Sequence, residues 1–395
     1  MSSKTKSMAV REDAKPALVP KLRFPEFRGE EDWASNTLAE ICHLITNGKA
    51  NAQDHEADGE YPLFDRSALI KRSSVFMFDA EAVILPGEGM RFVPKYFCGK
   101  FNLHQRAYAL MQHQGDGRFV YHSLDYLQDA LAEKAVKSTV LSLRLPIVEN
   151  FVIGYPSPAE QQKIAECLSS LDELMAAQAR KVEALKEHKK GLMQQLFPRE
   201  GESQPRLRFP EFRDAGEWTQ DSIGNVCELL NHRRRPITSS QRTPGPYRYY
   251  GASGVVDYVE DYIFDERVVL VGEDGAKWGA FERTAFLVEG KFWVNNHAHV
   301  LNPHGVNDVL LENYLTMADL APFVTGAAPP KLTLGKLKEI PVPIPPDEKE
   351  GETIATCLSS LDALITAETQ KHEALRTHKR GLMQQLFPSP EEVGA

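Results

Sequence analysis

Five arginines and three tyrosines are concentrated in one acid-free stretch of an otherwise acidic chain. The segment 231–256 is NHRRRPITSSQRTPGPYRYYGASGVV and contains neither Asp nor Glu. Clustered guanidinium groups can neutralise phosphates, and tyrosines among them offer stacking faces, which together are typical of a nucleic-acid contact surface. The whole 395-residue chain has a formal net charge of −9. This charge argues against coating of nucleic acid by bulk electrostatics but leaves a local basic surface open.

A second group of polar side chains follows the apolar stretch 292–294, as the sequence NNHAH at 295–299. Two histidines two residues apart could ligate zinc, but no third ligand lies at a recognisable spacing. Asparagine amides suit bidentate contact with adenine, so Asn295, Asn296 and His297 are candidates for a base-reading edge. The alternative, a turn in which these side chains only satisfy the backbone, stays open.

Carboxylates beside glycines form a third candidate group: Glu88 in GEG, and Glu273 with Asp274 in GEDG. They could bind a metal, although turns between strands favour the same residues. The chain has no GxxxxGK[ST] loop, no GxGxxG motif and no [DNS]PP[YFW] tetrapeptide of the amino-methyltransferases. We therefore expect a chain without catalytic activity. A self-sufficient nuclease or methyltransferase and a bivalent protein-binding clamp are the alternatives.

The elements that would position these residues occur twice. Residues 158–199 recur as 348–389 at a constant offset of 190, and both copies contain CLSSLD and GLMQQLFP. LRFPEFR opens both halves, at 22–28 and 207–213, and GKFNLHQRAYAL parallels GKFWVNNHAHVL. The chain is thus two tandem halves, each a globular segment followed by a helix. Similar frames with different polar contents predict two related modules with different targets.

Each repeated copy predicts one long helix. Ser157 and Asp347 are candidate N-caps, each with a glutamate three residues later that can complete a capping box. Pro198 and Pro388 stop the helices. Apolar residues recur at alternating steps of four and three, as in a coiled-coil seam. These seam residues are Ile164, Leu168, Leu171, Met175, Val182, Leu185, Leu192 and Leu196 in the first helix and Ile354, Leu358, Leu361, Ile365, Leu375, Leu382 and Leu386 in the second.

The two seams have the same length and phase, so the natural partner of each helix is the other. If the halves are related by an approximate two-fold, the helices must be antiparallel. At ~1.5 Å per residue each would span roughly 50 Å and act as a spacer. The polar seam positions Gln178, Lys189, Glu368, His372 and Lys379 can pair with each other, specify register or face another protein. Ordinary amphipathic helices on a core are the alternative.

Composition supports a cytoplasmic protein. The chain is 42% hydrophobic and 26% charged, as in soluble globular proteins, and no apolar run approaches membrane-spanning length. Residues 1–15 lack the apolar core of a signal peptide, which predicts a disordered tail. Four of the five cysteines occupy repeat-equivalent positions without a CxxC pair, as expected for core residues in a reducing compartment.

These features resemble the specificity subunit of type I restriction-modification systems. The resemblance rests on LRFPEF in each half, the NNHAHVL stretch, and helices that begin SPAEQQKIA and end KKGLMQQLFP. It covers essentially the whole chain after the tail. In that family each target-recognition domain reads one half of a split DNA sequence through the major groove. The implied fold class is α+β, with two pseudo-two-fold-related α/β target-recognition domains joined by a pair of long antiparallel coiled-coil helices.

The resemblance also implies the partners. These are double-stranded DNA, two methylation subunits that methylate adenine and, in complexes that also cleave DNA, two restriction subunits. No cofactor is expected on this chain, because S-adenosylmethionine, ATP and Mg²⁺ would be bound by the partner subunits. No membrane association is expected.

Repeat boundaries and local charge define the domains and the candidate DNA contacts. The predicted boundaries are a disordered tail at 1–20, target-recognition domain 1 at 21–156, a central spacer helix at 157–199, a linker at 200–206, target-recognition domain 2 at 207–346, a C-terminal spacer helix at 347–388 and a tail at 389–395. The candidates in the first domain are Asn47, Lys49, Arg66, Lys71, Arg72, Arg91, Lys100, His104 and Arg106. Those in the second are Arg233, Arg234, Arg235, Arg242, Arg248, Tyr250, Ser253, Lys277, Asn295, Asn296 and His297. For any single Lys or Arg, a solvated surface position is the alternative.

Overall fold

The computed structural model describes residues 18–137 and 139–394, and the chain divides into two compact units. Unit 1 contains the N-terminal part up to Ala177 and the C-terminal residues from His372, and unit 2 contains Gln178–Lys371. Each unit therefore holds one globular domain and a segment of both long helices. Of the predicted tail at 1–20, residues 1–17 lie outside the described residues. Leu18, by contrast, is buried and accepts a hydrogen bond from the Trp33 amide at 2.9 Å, so the folded domain includes it.

Unit 1 is built on a mixed six-stranded sheet. The strands of unit 1, six of which form this sheet, are β1 Ala34–Thr37, β2 Cys42–Asn47, β3 Tyr61–Phe64, β4 Lys71–Ser73, β5 Phe78–Pro86, β6 Glu88–Gly89, β7 Lys95–Leu103, β8 Ala107–His113, β9 Leu141–Ser142 and β10 Val152–Tyr155. Its helices are α1 Leu38–Ile41, α2 Gly117–Tyr126, α3 Gln128–Lys134 and α4 Leu145–Glu149, followed by the long α5 Pro158–Leu196. The sheet order is β2-β8-β5-β7-β3-β4, and only the β3–β7 pair is parallel. The continuous apolar run at 82–86 is buried within β5, as expected for a strand covered on both faces.

Unit 2 repeats this topology. Its strands are β11 Thr219–Ser222, β12 Cys227–Leu229, β13 Pro244–Gly251, β14 Gly254–Val259, β15 Phe264–Gly272, β16 Ala285–Val294, β17 Ala298–Pro303 and β18 Pro341–Ile344. Its helices are α6 Ile223–Val226, α7 Asp308–Met317 and α8 Leu334–Glu339, followed by the long α9 Glu348–Leu386. The sheet order β12-β17-β15-β16-β13-β14 matches unit 1 strand for strand, including one parallel pair, β13–β16. The two halves are therefore copies of one α/β domain.

The long helices α5 and α9 have 39 residues each and pack antiparallel within both units. In unit 2, Leu196 near the end of α5 shares an apolar cluster with Ile354 near the start of α9. In unit 1, Leu386 near the end of α9 clusters with Ile164 near the start of α5. Every predicted seam residue is buried or half-buried. The predicted antiparallel coiled-coil pairing is confirmed.

Four of the five polar seam residues bond to residues of the facing helix, whereas His372 Nδ1 lies 3.7 Å from Glu373 of its own helix. In unit 2, the Gln178 amide donates to Glu368 Oε2 at 2.6 Å, and Lys189 Nζ lies 2.7 Å from Asp362 Oδ1. In unit 1, Lys379 Nζ lies 2.7 Å from Asp172 Oδ1, at the positions equivalent to Lys189 and Asp362. These pairs are satisfied in only one antiparallel register, so they specify register at some cost in apolar contact.

The LRFPEFR heptapeptides attach each domain to both long helices. In unit 1, Arg23 donates two hydrogen bonds to Glu160, at 2.8 and 2.7 Å, while the Leu22 amide donates to the Gln385 carbonyl near the end of α9 at 2.9 Å. In unit 2, Arg208 and Glu350 form the same double contact, and the Leu207 amide donates to the Gln195 carbonyl. One short motif thus fixes the start of one helix and the end of the other.

This arrangement corrects the predicted capping box at the start of α5. Both carboxylate oxygens of Glu160 accept from Arg23, and the Ser157 hydroxyl donates to Glu30 at 2.8 Å. A buried, bidentate guanidinium contact is stronger than a bond to one backbone N–H, so the glutamate pairs with the arginine. At α9 the Asp347 carboxylate does accept from the Lys349 amide at 2.9 Å, as an N-cap does, but both oxygens of Glu350 accept from Arg208, so the second half of this predicted capping box is corrected as well.

The repeat-equivalent cysteines divide into two groups. Cys42 and Cys227 are buried, and burial raises the pKa of each thiol to about 12, so they are inert core residues. Cys167 and Cys357 on the long helices are only half-buried, and Cys98 is exposed. The expectation of core positions therefore holds for the first pair. Within 18–137 and 139–394, no helix is both long and apolar enough to cross a membrane.

The segment after α9 is folded against unit 1. Residues of the predicted tail at 389–395 form a short helix, α10 Pro390–Val393, with Ser389 as its N-cap. Val393 is buried in the apolar cluster that also contains Trp33 and Phe387. The C-terminal end of α9 is thereby covered by its own continuation.

Candidate nucleic-acid interface

Turns that follow the sheet strands of unit 1 contact one another and form one surface, here called turn cluster 1 (residues 47–51, 65–70, 87–91 and 104–106). The side-chain amide of Asn47 donates to the backbone carbonyl of Gln105 at 3.1 Å, and the backbone N–H of Gln105 donates to the Ala50 carbonyl at 2.9 Å. The His104 N–H donates to the Phe64 carbonyl at the end of β3 at 2.9 Å. These bonds bring together Asn47, Lys49, Arg66, His104 and Arg106, which are far apart in sequence, and the bond from the Gly87 N–H to the Arg106 carbonyl at 2.8 Å adds the turn that contains Arg91.

The acids of turn cluster 1 are paired with cations. Arg106 Nη1 lies 2.6 Å from Glu88 Oε1, and Arg66 lies 3.8 Å from the same carboxylate. Lys71 lies 2.8 Å from Asp65; although burial opposes it, the bonds from Lys71 and from Ser67 lower the pKa of Asp65 to about 2. Burial lowers the pKa of His104, which favours the neutral imidazole at neutral pH. The cluster thus offers guanidinium groups, an amide and a neutral imidazole.

Three predicted contacts of the first domain lie outside the ranges of turn cluster 1: Lys71, which pairs with Asp65, and also Arg72 and Lys100. The Arg72 guanidinium donates to the Gly59 and Glu60 carbonyls at 2.8 and 3.0 Å. Lys100 lies over the Phe76 ring, with Nζ 4.8 Å from its centroid. The Arg72 and Lys100 side chains are therefore engaged in contacts within the domain.

Unit 2 presents the equivalent surface, turn cluster 2 (residues 231–235, 252–253, 273–277, 295–297 and 331). Arg234 Nη1 donates to Glu273 Oε2 at 2.7 Å and to the Ala298 carbonyl at 2.8 Å. Lys331 Nζ lies 3.1 Å from Glu273 Oε1. Although burial opposes it, the bonds from Arg234 and Lys331 lower the pKa of Glu273. This ionised carboxylate therefore holds two turns of the cluster together.

The arginines of segment 231–256 differ in environment. Arg233 pairs with Glu266 at 2.6 Å and covers the Phe264 ring, and Arg242 pairs with Asp257 at 3.0 Å and covers Tyr249. Arg235 is exposed, and the structure gives its side chain no ion pair among the described residues. Three of the five arginines thus form ion pairs within the domain, and Arg248 Nη1 lies 3.5 Å from the Tyr250 hydroxyl.

The other candidates of the second domain separate by burial. Tyr250 is buried between Phe286 and Phe292, and Asn295 is buried with its side-chain oxygen accepting from the His297 N–H at 2.8 Å. Asn295 therefore supports the turn, which is the alternative that the sequence left open. Exposed candidates are Arg235, Arg248, Ser253, Lys277, Asn296 and His297.

The two histidines do not converge on a common ligand. His297 Nδ1 contacts Asp274 Oδ1 at 2.5 Å, whereas buried His299 uses Nε2 on the Leu332 carbonyl at 2.7 Å. Among the described residues, no group of three or more His, Cys, Asp or Glu side chains is arranged to hold a metal. The carboxylates considered as metal ligands are instead partners of cations and of His297.

One contact is equivalent in both clusters. Glu88 pairs with Arg106 in unit 1, and Asp274 pairs with His297 in unit 2. The two acids lie at matching positions after β5 and β15, and their partners lie directly before β8 and β17. The frame is the same, but the exposed group that it orients is a guanidinium in one unit and an imidazole in the other. A direct reader of base edges requires such a difference if its two halves have different targets.

Sequence reasoning missed Lys331 and Gln105. Lys331 forms a β-bridge with Asp274 as well as its contact with Glu273. Its signal was the Gly-Ala-Ala-Pro-Pro-Lys segment, whose glycine and prolines indicate a shaped turn. Gln105, whose side chain donates to Asn51 at 2.8 Å, lies in the repeated frame between His104 and Arg106.

Fold and surface together define a class: a protein with two copies of one α/β domain, each packed on antiparallel helices and each presenting basic and amide side chains. A model of the type I restriction modification DNA specificity domain matches residues 30–187 and again 215–377. The chain therefore belongs to the family of type I restriction-modification DNA specificity proteins.

Individual relatives agree. A chain of Haemophilus influenzae that bears the name type I restriction enzyme specificity subunit S.HindORF215P is 40% identical over 152 residues, 38% of either chain. The EcoDI specificity subunit of Escherichia coli is 34% identical over 140 residues, 35% of this chain and 31% of that one. These matches span well under half of each relative. The crystal structure of a type I restriction-modification S subunit from M. genitalium has a TM-score of 0.67 at 16% identity, covering 94% of this chain and 99% of that one, and shares its fold.

Proposed function

We propose that this protein is the DNA-recognition and scaffold subunit of a type I restriction-modification complex. Its two target-recognition domains read the two halves of an asymmetric, bipartite DNA target, and the long helices set the gap between the halves. One observation carries the proposal: turn clusters 1 and 2 share their sheet frame and their acid-to-reader contact, but differ in the reader itself, Arg106 against His297.

The partners of this proposal are double-stranded DNA and two methylation subunits, joined by two restriction subunits where DNA is also cleaved. S-adenosylmethionine, ATP and Mg²⁺ would be bound by those subunits, and the complex would work in the cytoplasm without a membrane. Neutralisation of phosphates would be shared among subunits, which accommodates the net charge of −9 on this chain.

The long helices offer one candidate contact for the methylation subunits. Leu174 on α5 and Leu364 on α9 lie outside the seam and are 47% and 41% exposed. They occupy repeat-equivalent positions, as two copies of the same partner would require. Replacing both by glutamate should weaken assembly with the methylation subunits while the seam stays intact. Assembly at unchanged affinity would remove these leucines from the contact.

The decisive experiment is a footprint of the complex with its methylation subunits on a target mapped by adenine methylation in cells with and without the gene. We expect two protected blocks of different sequence separated by an unread gap. One continuous block, or binding without sequence preference, would contradict the proposal. The enzyme alternative is tested with the purified chain, DNA, and either Mg²⁺ or S-adenosylmethionine. Turnover without partner subunits would favour that alternative.

A further inference from the structure

Two neighbouring turns of unit 1 present large apolar side chains to solvent. Leu69 and Ile70 lie in the hairpin turn between β3 and β4 and are 77% and 47% exposed. Met90 and Val93 lie between β6 and β7 and are 76% and 48% exposed. Single exposed apolar residues are common, but four in adjoining turns mark a contact surface.

The hairpin turn is held firmly in this conformation. Asp65 Oδ1 accepts from the Ser67 N–H at 2.8 Å, and the Ser67 hydroxyl lies 2.6 Å from the same oxygen and 2.7 Å from the Leu69 carbonyl. Lys95 Nζ donates to the Ser67 carbonyl at 2.8 Å, and Lys71 pairs with Asp65. Leu69 is therefore displayed by an ordered turn, and its contact with a ligand requires little loss of backbone entropy.

Leu69, Ile70 and Met90 belong to turn cluster 1, and Val93 lies two residues beyond it. The Arg66–Glu88 contact and the Lys95 bond to Ser67 connect the two turns, and Glu88 in turn orients Arg106. Met90 is followed by exposed Arg91. Around the apolar side chains, segments 65–71 and 87–95 with residue 106 contain two acids and five cations, so the surface carries a net positive charge.

A positive surface with apolar tips fits the major groove of DNA, where thymine is the base that presents a methyl group. We propose that Leu69 and Met90 contact thymine 5-methyl groups in the half-target read by unit 1. This inference rests on the proposed function and adds a second chemistry to it: cations position the duplex, and apolar side chains select thymine.

Unit 2 differs at the equivalent hairpin. The turn between β13 and β14 is formed by Ala252 and Ser253, of which Ala252 is buried. Its exposed neighbours Val255 and Val256 lie within β14, and the turn after β15 presents Lys277, with 80% of its side chain exposed. We therefore expect the dependence on thymine methyl groups at turn residues to belong to unit 1.

The test uses the complete complex with methylation subunits and duplexes of the mapped target. Each thymine of both half-targets is replaced in turn by deoxyuridine, which lacks only the 5-methyl group, and dissociation constants are measured for the wild type, Leu69→Ala, Met90→Ala and Val75→Ala. Val75 is a matched control, because it is an apolar residue of the same unit and is 63% exposed. It lies after the C-terminal end of β4, whereas the hairpin turn with Leu69 precedes β4. Both the wild type and the control should lose about fourfold in affinity at one or two uracil positions of one half-target, the factor expected for one buried methyl group.

The two alanine variants should bind thymine-containing target more weakly and lose the discrimination between thymine and uracil. The inference would be overturned if uracil at every position left the affinity of the wild type unchanged. It would also be overturned if both alanine variants still discriminated between thymine and uracil. Loss of the methylation subunits from the Leu69→Ala and Met90→Ala complexes would overturn it as well, because that loss would assign the apolar residues to a protein partner. A wild-type complex without any sequence preference would instead contradict the proposed function itself.

Discussion

Replacement of Glu350 by glutamine tests how the domain of unit 2 is attached to its helices. Arg208 donates to both oxygens of this carboxylate, at 2.6 and 2.7 Å, and the two side chains are only 7% and 1% exposed. Arg208 also donates to the Gly216 carbonyl at 2.7 Å. Glutamine preserves the volume and one acceptor but leaves the guanidinium buried without a counter-ion.

Removal of one partner from a buried ion pair costs about 3–5 kcal/mol, because the remaining charge is uncompensated. Since glutamine keeps one acceptor, we expect the lower end, about 3 kcal/mol, for Glu350→Gln. Replacement of both Arg208 and Glu350 by methionine removes both desolvation penalties and should cost about 1 kcal/mol or less. The same values are expected for Glu160 and Arg23 in unit 1, where the geometry repeats.

Hydrogen exchange followed by peptide is the suitable assay, because a chain of two units need not unfold in one step. Glu350→Gln should reduce protection in unit 2, and Glu160→Gln in unit 1. Glu183→Gln is the control: its partner Lys186 is 2.7 Å away but both side chains are exposed, so about 0.5 kcal/mol or less is expected. A loss below about 1 kcal/mol for Glu350→Gln, or a double variant as unstable as the single one, would refute the reasoning.

The other predictions concern the seam, the basic segment and pH. Leu168→Asp combined with Leu358→Asp should separate the helices in both units, because each leucine is fully buried. The DNA targets mapped by methylation in cells should then lose their fixed gap. An unchanged gap would show that the helices do not set it. Arg235→Ala should weaken DNA binding and lower the magnitude of the slope of log K against log salt by about one, whereas Arg234→Ala should mainly lower the melting temperature of unit 2. Equal salt slopes for the wild type and Arg235→Ala would exclude Arg235 from the DNA interface. Burial raises the pKa of Glu312 to about 7 from 4.5, so the folded unit retains a proton that the unfolded chain loses. The stability from this group is complete below about pH 4.5 and falls by up to about 3 kcal/mol as the pH rises through 7; Glu312→Gln should abolish that fall in thermal scans between pH 5 and 8.5, and an unchanged pH profile would show that Glu312 ionises normally.

Several features of the fold could be predicted because they depend on local periodicity. The seam from Ile164 to Leu196 repeats every three or four residues, and only a helix brings such residues to one face. Identical phase in the second copy then predicted the antiparallel partner, which the clusters around Ile354 and Leu386 confirm. The sheet order could not be predicted, since pairs such as Leu63 with Asn102 are far apart in sequence and depend on the packing of the whole domain.

The candidate site was predictable in position but not in detail. The repeated frame located the turns before Ala107 and Ala298, and the structure places exposed polar groups there. It did not identify Asn295 as a buried support of the turn, because alternation of faces next to a turn depends on the neighbouring strands.

The three consecutive arginines show where the sequence stops and the tertiary structure begins. By itself the sequence determined two copies of one domain, two helices of equal length and a basic segment, because repeats, heptads and composition are properties of the chain. Only the tertiary structure decided that Arg233 lies against Glu266, that Arg234 lies against Glu273, and that Arg235 remains exposed. The reason is physical: a guanidinium binds whichever carboxylate or carbonyl the fold brings within about 3 Å, and those partners come from distant strands.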